Sequence, residues 1–142
     1  MKRFILLIIT LLPATLFAQS ISFDDMISEY STKKGCTAIT MSNVMLETMG
    51  VEVGAENLSA ISVENSELLP RFNEQIAELV KGMEVMMTVN HDGQCVNIYL
   101  TRQKDVVRQI VIVTSDSDKC ILMVLWGNNL ELQMVNSFIN NK

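Results

Sequence analysis

The dipeptide Asp92-Gly93 stands between two runs of mixed apolar and polar residues, Glu84 to His91 and Gln94 to Arg102. It constrains the fold more than any other feature of the chain. A type I′ turn needs two successive residues at positive φ, which Asp-Gly accepts readily, so the pair marks the tip of a two-residue β-hairpin. Asn90 then pairs with Cys95, Val89 with Val96, Met87 with Ile98 and Val85 with Leu100. Because side chains alternate along a strand, Val85, Met87, Val89, Val96, Ile98 and Leu100 share one side. Met86, Thr88, Asn97 and Tyr99 share the other, more polar side.

Two further turns extend the hairpin into a four-strand meander from Glu84 to Trp126. Centring the second turn on Gln103-Lys104 pairs Arg102 with Asp105, Leu100 with Val107 and Tyr99 with Arg108, with opposite charges flanking the turn. The third connection, Ser115 to Lys119, admits two registers. We take a three-residue loop at Asp116-Ser117-Asp118, which pairs Arg108 with Trp126; a two-residue loop would turn the last strand over. The chosen register places the Arg108 guanidinium between Tyr99 and Trp126, a cation-π arrangement worth on the order of 0.5–2 kcal/mol. Tyr99, Arg108 and Trp126 thus form the candidate binding patch. Val106 to Thr114 and Cys120 to Trp126 are apolar on both faces, so both faces call for cover by helices or by another chain.

Ahead of the meander, Met1-Lys2-Arg3 followed by an apolar run to Phe17 reads as a secretory signal peptide over residues 1–18, with Ala18 at the cut. The run is too short to span a bilayer comfortably. The first cysteine is Cys36, which argues against a lipidated leader. Cleavage leaves residues 19–142 as a single domain with no transmembrane span and moves the net charge from −5 to −7, since Lys2 and Arg3 are the leader's only charges. An acidic chain is a poor partner for nucleic acid or an anionic membrane.

Ser22 and Asp25 resemble a capping box ahead of a helix carrying Phe23, Ile27 and Tyr30, closed by Lys33-Lys34-Gly35. A strand follows over Cys36 to Met41, then a short helix capped by Ser42, then a loop-like stretch from Gly50 to Ser59. A brief strand over Ala60 to Glu64 leads to a helix opening near Asn65 or Ser66. Its stripe of Leu69, Phe72, Ile76, Leu79 and Val80 suits the apolar side of the meander. After Asn128, Leu130, Leu132, Met134, Val135, Phe138 and Ile139 predict a last helix for the second face.

The layout resembles that of short exported proteins from Bacteroidota catalogued as a domain of unknown function, DUF4252. The likeness rests on Phe17-Ala18-Gln19, Phe23 and Tyr30 ahead of Lys33-Lys34-Gly35, Ser42 to Met49, the Asp92-Gly93 hairpin and the Asp105 to Trp126 strands. It implies export and a shared fold, and it carries no catalytic motif.

The reactive residues assemble no recognisable site. His91 is the only histidine, and a metal site needs several His or Cys ligands at short spacing. Cys95, four residues on, is the one thiol placed to meet it. Cys36, Cys95 and Cys120 allow at most one intramolecular disulfide, and Cys95 and Cys120 fall two strands apart, about 9–10 Å, beyond bridging distance. Three partly buried free thiols are the expectation. Asp116 and Asp118 lack the glycine and distal glutamate of a calcium loop and suit a turn. Met41, Met45, Met49 and Met134 suit core filling or an adaptable binding surface.

The sequence therefore predicts an α+β domain, an antiparallel sheet with a four-strand C-terminal meander packed by helices on one or both faces. Its expected role is that of a non-enzymatic binding module of the cell envelope, periplasmic or extracellular. The expected partner is an envelope protein or a small apolar ligand, with a homodimer as a further possibility and no cofactor. The alternatives are a thiol-dependent enzyme or redox protein using Cys95 with His91, and a purely structural envelope component.

Overall fold

The computed structural model describes residues 22–49, 55–128 and 130. The Ser22 capping box forms as its spacing implies: the Asp25 amide donates to Ser22 Oγ at 3.1 Å and the Ser22 amide to Asp25 Oδ2 at 3.4 Å. It opens α1, Phe23–Ser31, which buries Phe23, Met26, Ile27 and Tyr30. β1, Cys36–Ser42, leads into the short α2, Asn43–Thr48, of which only Leu46 is buried. β2 spans Ala55–Val63, so the part expected as loop from Ala55 to Ser59 is strand instead. α3, Leu69–Val80, begins later than expected, because residues 66–68 form a turn whose Glu67 amide donates to Asn65 Oδ1.

β3 (Glu84–His91), β4 (Gln94–Gln103), β5 (Val106–Ser115) and β6 (Cys120–Gly127) complete a six-stranded antiparallel sheet of order β1-β2-β6-β5-β4-β3. The Asp92-Gly93 turn has the positive φ values its chemistry requires, and Asn90 meets Cys95 as expected. Three details of register differ from the sequence reading. A bulge at Met86 puts Val85 opposite Tyr99 and leaves it 60% exposed instead of on the Leu100 side. The second turn has its positive-φ pair at Lys104-Asp105, one residue later than expected, and Arg108 is the extra residue of a second bulge. Leu100 therefore faces Ile110, and Tyr99 faces Val111 instead of Arg108.

The third turn takes the register set aside above. Ser115 pairs with Cys120, and the Asp116 amide donates to Lys119 O at 3.0 Å. The Asp116 carboxylate accepts the amides of Asp118 and Lys119 at 2.8 and 2.9 Å, an Asx-type closure that selects the tighter turn. Trp126 consequently faces Gln109, not Arg108.

Two cores result. On one face, α1 and α3 pack Met26, Tyr30, Phe72 and Ile76 against Ile61, Val63, Val111, Val113, Leu122 and Val124. The Tyr30 and Phe72 rings meet edge-on at 4.9 Å, and the Tyr30 hydroxyl donates to Gln75 Oε1. The α3 stripe thus covers the Tyr99 side of the sheet, the opposite side from the one expected. On the other face, Leu46 and Leu130 join Leu58, Ile98, Leu100, Val107, Ile110 and Leu125, and the Leu130 amide donates to Val107 O at 2.9 Å. The expected leader and the remainder of the expected last helix lie outside the described residues.

The chain crosses from α1 into β1 through Gly35, at φ +81°, whose carbonyl accepts the Glu64 amide at 2.8 Å. A Cβ at Gly35 would sit 3.0 Å from Glu64 O, whereas one at Gly82, also left-handed at φ +87°, would meet nothing. Gly82→Ala should cost about 1–2 kcal/mol from backbone strain alone. Gly35→Ala should cost more by the added collision, and urea denaturation of the two variants measures the difference.

Candidate functional site

Tracing the pairings across the sheet places Thr101, Gln109, Trp126 and Asn57 in one transverse row at one end, on the same side as Tyr99, Val111 and Val124 in the next row. Tyr99 and Trp126 are partly buried against the helix-side core. Gln109 lies between Thr101 and Trp126 and is only 8% exposed. The Thr101 hydroxyl donates to Gln109 Oε1 at 3.4 Å, while Gln109 Nε2 finds no hydrogen-bond partner among the described residues. An unpaired buried amide donor costs about 1–3 kcal/mol, so this group stands out; Ser59 is the other buried polar side chain among the described residues.

Arg108 does not lie between Tyr99 and Trp126, because its bulge removes it from the ladder. Its Nε donates to Gln103 Oε1 at 3.1 Å and its Nη1 to Asn128 Oδ1 at 2.8 Å, and Asn128 in turn donates to Glu56 Oε1. The guanidinium is thereby held at the same end of the sheet as Trp126. The three residues of the candidate patch share a neighbourhood without the stacked contact expected of them. Gln109 and Thr101 escaped the sequence reading. The available signal was an amide inside a strand otherwise apolar on both faces.

The three cysteines lie in a single transverse row, Cys36, Val63, Cys120, Ser115, Cys95 and Asn90, on alternate strands. Each thiol is two strand spacings from the next, about 9–10 Å, and all three are free. Burial raises the Cys36 thiol pKa, with Lys33 opposing, and burial pushes Cys120 up to about 11, with Asp116 adding to it. Cys95 pairs with Asn90, so the neighbouring His91 projects to the opposite face. His91 contacts Asp92 instead, Nε2 to Oδ2 at 3.0 Å, and Asn97 donates to the Cys95 sulfur at 3.4 Å. The thiol-imidazole pair is not brought together. Among the described residues no cluster of three His, Cys, Asp or Glu side chains is arranged to hold a metal ion. No described helix is long and apolar enough to cross a membrane.

Residues 30–138 match the family model described as a domain of unknown function, DUF4252. No curated protein and no solved structure matches the chain.

The Cys120 thiol generates a pH prediction. Its pKa is raised from the ordinary 9.0 to about 11 in the fold, so the unfolded chain loses this proton first as pH rises. The stabilisation is complete below pH 9 and is lost between pH 9 and 11. Tyr30, raised chiefly by burial, and Cys36 act in the same direction. Equilibrium denaturation should show stability falling across that window, and Cys120→Ala should reduce the slope.

Proposed function

The chain belongs to the DUF4252 family, and from this premise and the geometry above we propose that it is an exported, non-enzymatic binding module of the cell envelope. The leader read over residues 1–18 supports export to the periplasm or beyond. The binding site is the sheet end carrying Tyr99, Thr101, Arg108, Gln109 and Trp126. Its partner is an envelope protein or small ligand that offers an apolar group together with a hydrogen-bond acceptor.

The observation that carries this reading is the unpartnered Nε2 of buried Gln109. Val or Ile at this position would be more stable, so a donor kept there without an acceptor suits a partner whose docking opens the row and brings an acceptor to it. Trp126 directly opposite and Tyr99 diagonally across β5 supply rigid apolar area at low entropic cost. Arg108, fixed by Gln103 and Asn128, adds a positive charge at the rim.

Gln109→Met should raise the unfolding free energy by about 1 kcal/mol by removing the orphan donor. The same variant should lose capture of the partner from envelope extract on immobilised protein. Arg108→Ala should weaken capture without the gain in stability. Capture by both variants equal to that of the native protein would remove the site from the reading.

A further inference from the structure

The two edges of the sheet differ sharply. β3 carries devices that discourage further pairing: the Met86 bulge, and the Glu84 carboxylate held by Arg102 at 3.0 Å. β1 has neither. Its seven residues, Cys-Thr-Ala-Ile-Thr-Met-Ser, contain no charge, proline or glycine, and its pairing to β2 runs without a bulge from Cys36 to Ser42. Ile39, at its centre, is 49% exposed.

The hydrogen-bond parity of β1 fixes what its outer edge, which no described strand pairs, presents. The Glu64 amide donates to the Gly35 carbonyl, so Gly35 and Glu64 form a hydrogen-bonded pair, and pairing alternates from there. Thr37, Ile39 and Met41 direct their backbone groups to β2, while Cys36, Ala38, Thr40 and Ser42 direct theirs outward. That outward set is symmetric about Ile39. We propose that β1 pairs antiparallel with β1 of a second copy about a two-fold axis at Ile39, joining two six-stranded sheets into one.

In that register Cys36 meets the second copy's Ser42 and Ala38 meets its Thr40, all as hydrogen-bonded pairs, so every outward amide and carbonyl of the edge finds a partner. Shifting by one residue sets outward groups against inward ones, and shifting by two leaves an end unpaired. Ile39 meets its own mate in a non-hydrogen-bonded pair, where side chains come closest. Charge agrees as well: the Lys33-Lys34 end of one copy lies beside the α2 end of the other, which carries the exposed Glu47. The exposed side chains of Val44 and Met45 on α2 gain cover there. This goes beyond the binding reading and uses none of Tyr99, Arg108, Gln109 and Trp126.

The test is site-specific crosslinking in the full chain with Cys36→Ser and Cys95→Ser, leaving the buried Cys120. Ile39→Cys places two thiols across a non-hydrogen-bonded pair with Cα atoms about 4.5 Å apart. It should give a covalent dimer on copper-phenanthroline oxidation. Thr37→Cys lies about 13 Å from its own mate and should not, yet mixed with Met41→Cys protein it should crosslink. In the otherwise native chain, Ile39→Lys sets like charges against each other at the axis, and the dimer dissociation constant should rise about tenfold or more in sedimentation equilibrium. No Ile39→Cys dimer, a Thr37→Cys dimer of equal yield, or a native protein that stays monomeric at 100 μM, roughly the weak end of specific pairing, would each overturn the proposal.

Discussion

The pairing of β2 with β6 holds this molecule together. The β1–β2 unit ends at Val63 and the β3–β6 unit ends at Gly127, so the two are far apart in sequence. Only the ladder from Asn57–Trp126 to Val63–Cys120 makes them one sheet. It sets Ile61 beside Leu122 on the helix side and Leu58 beside Leu125 on the other, so both cores are continuous across the junction. The ladder adds Ile61 and Val63 to the apolar floor that Val111, Val113, Leu122 and Val124 give α1 and α3. Such long-range pairing carries a loop-closure cost that local hairpins avoid.

The same ladder explains which parts of the fold were legible in the sequence. Asp92-Gly93 fixed its hairpin because the turn type is a property of two residues, and Ser22 with Asp25 fixed the start of α1 for the same reason. The Ala55 to Ser59 segment, with Glu56, Asn57 and Ser59, has the polarity of a loop, and it becomes strand because β1 and β6 supply hydrogen-bond partners on both sides. The bulges at Met86 and Arg108 left no local signature. Each shifts its register, and an odd net shift exchanges the faces of everything beyond it. That is why the α3 stripe was readable while the face it covers was not.

Tyr99, Arg108 and Trp126 lie at one end of the sheet without the contacts expected of them. Tyr99 and Trp126 do share the helix-side face, yet β5 presents Gln109 beside Trp126 and withdraws Arg108 into a bulge. Bulges bend a strand and re-aim its side chains. Here the bulge turns a would-be stacked cation into one clamped by amide oxygens from Gln103 and Asn128. It also brings a buried amide with an unused donor into line with the only tryptophan. A buried polar group without a partner lowers stability, and natural proteins keep such losses mainly at functional or strained positions.

The proposed pairing of β1 bears on the binding proposed for that patch. A two-fold axis relating antiparallel edge strands runs perpendicular to the sheet, so both copies turn their helix-side faces the same way. The row of Thr101, Gln109 and Trp126 lies at the Ser42 end of the strands, and the axis carries it to the opposite end in the second copy. The joined sheet proposed above would therefore offer two patches on one surface at diagonal corners, each clear of the interface. If both the proposed pairing and the proposed binding hold, two sites so fixed would engage a partner that repeats its binding group with the gain that effective concentration confers. The uncharged edge that would be a liability in a monomer then becomes the element that sets their spacing.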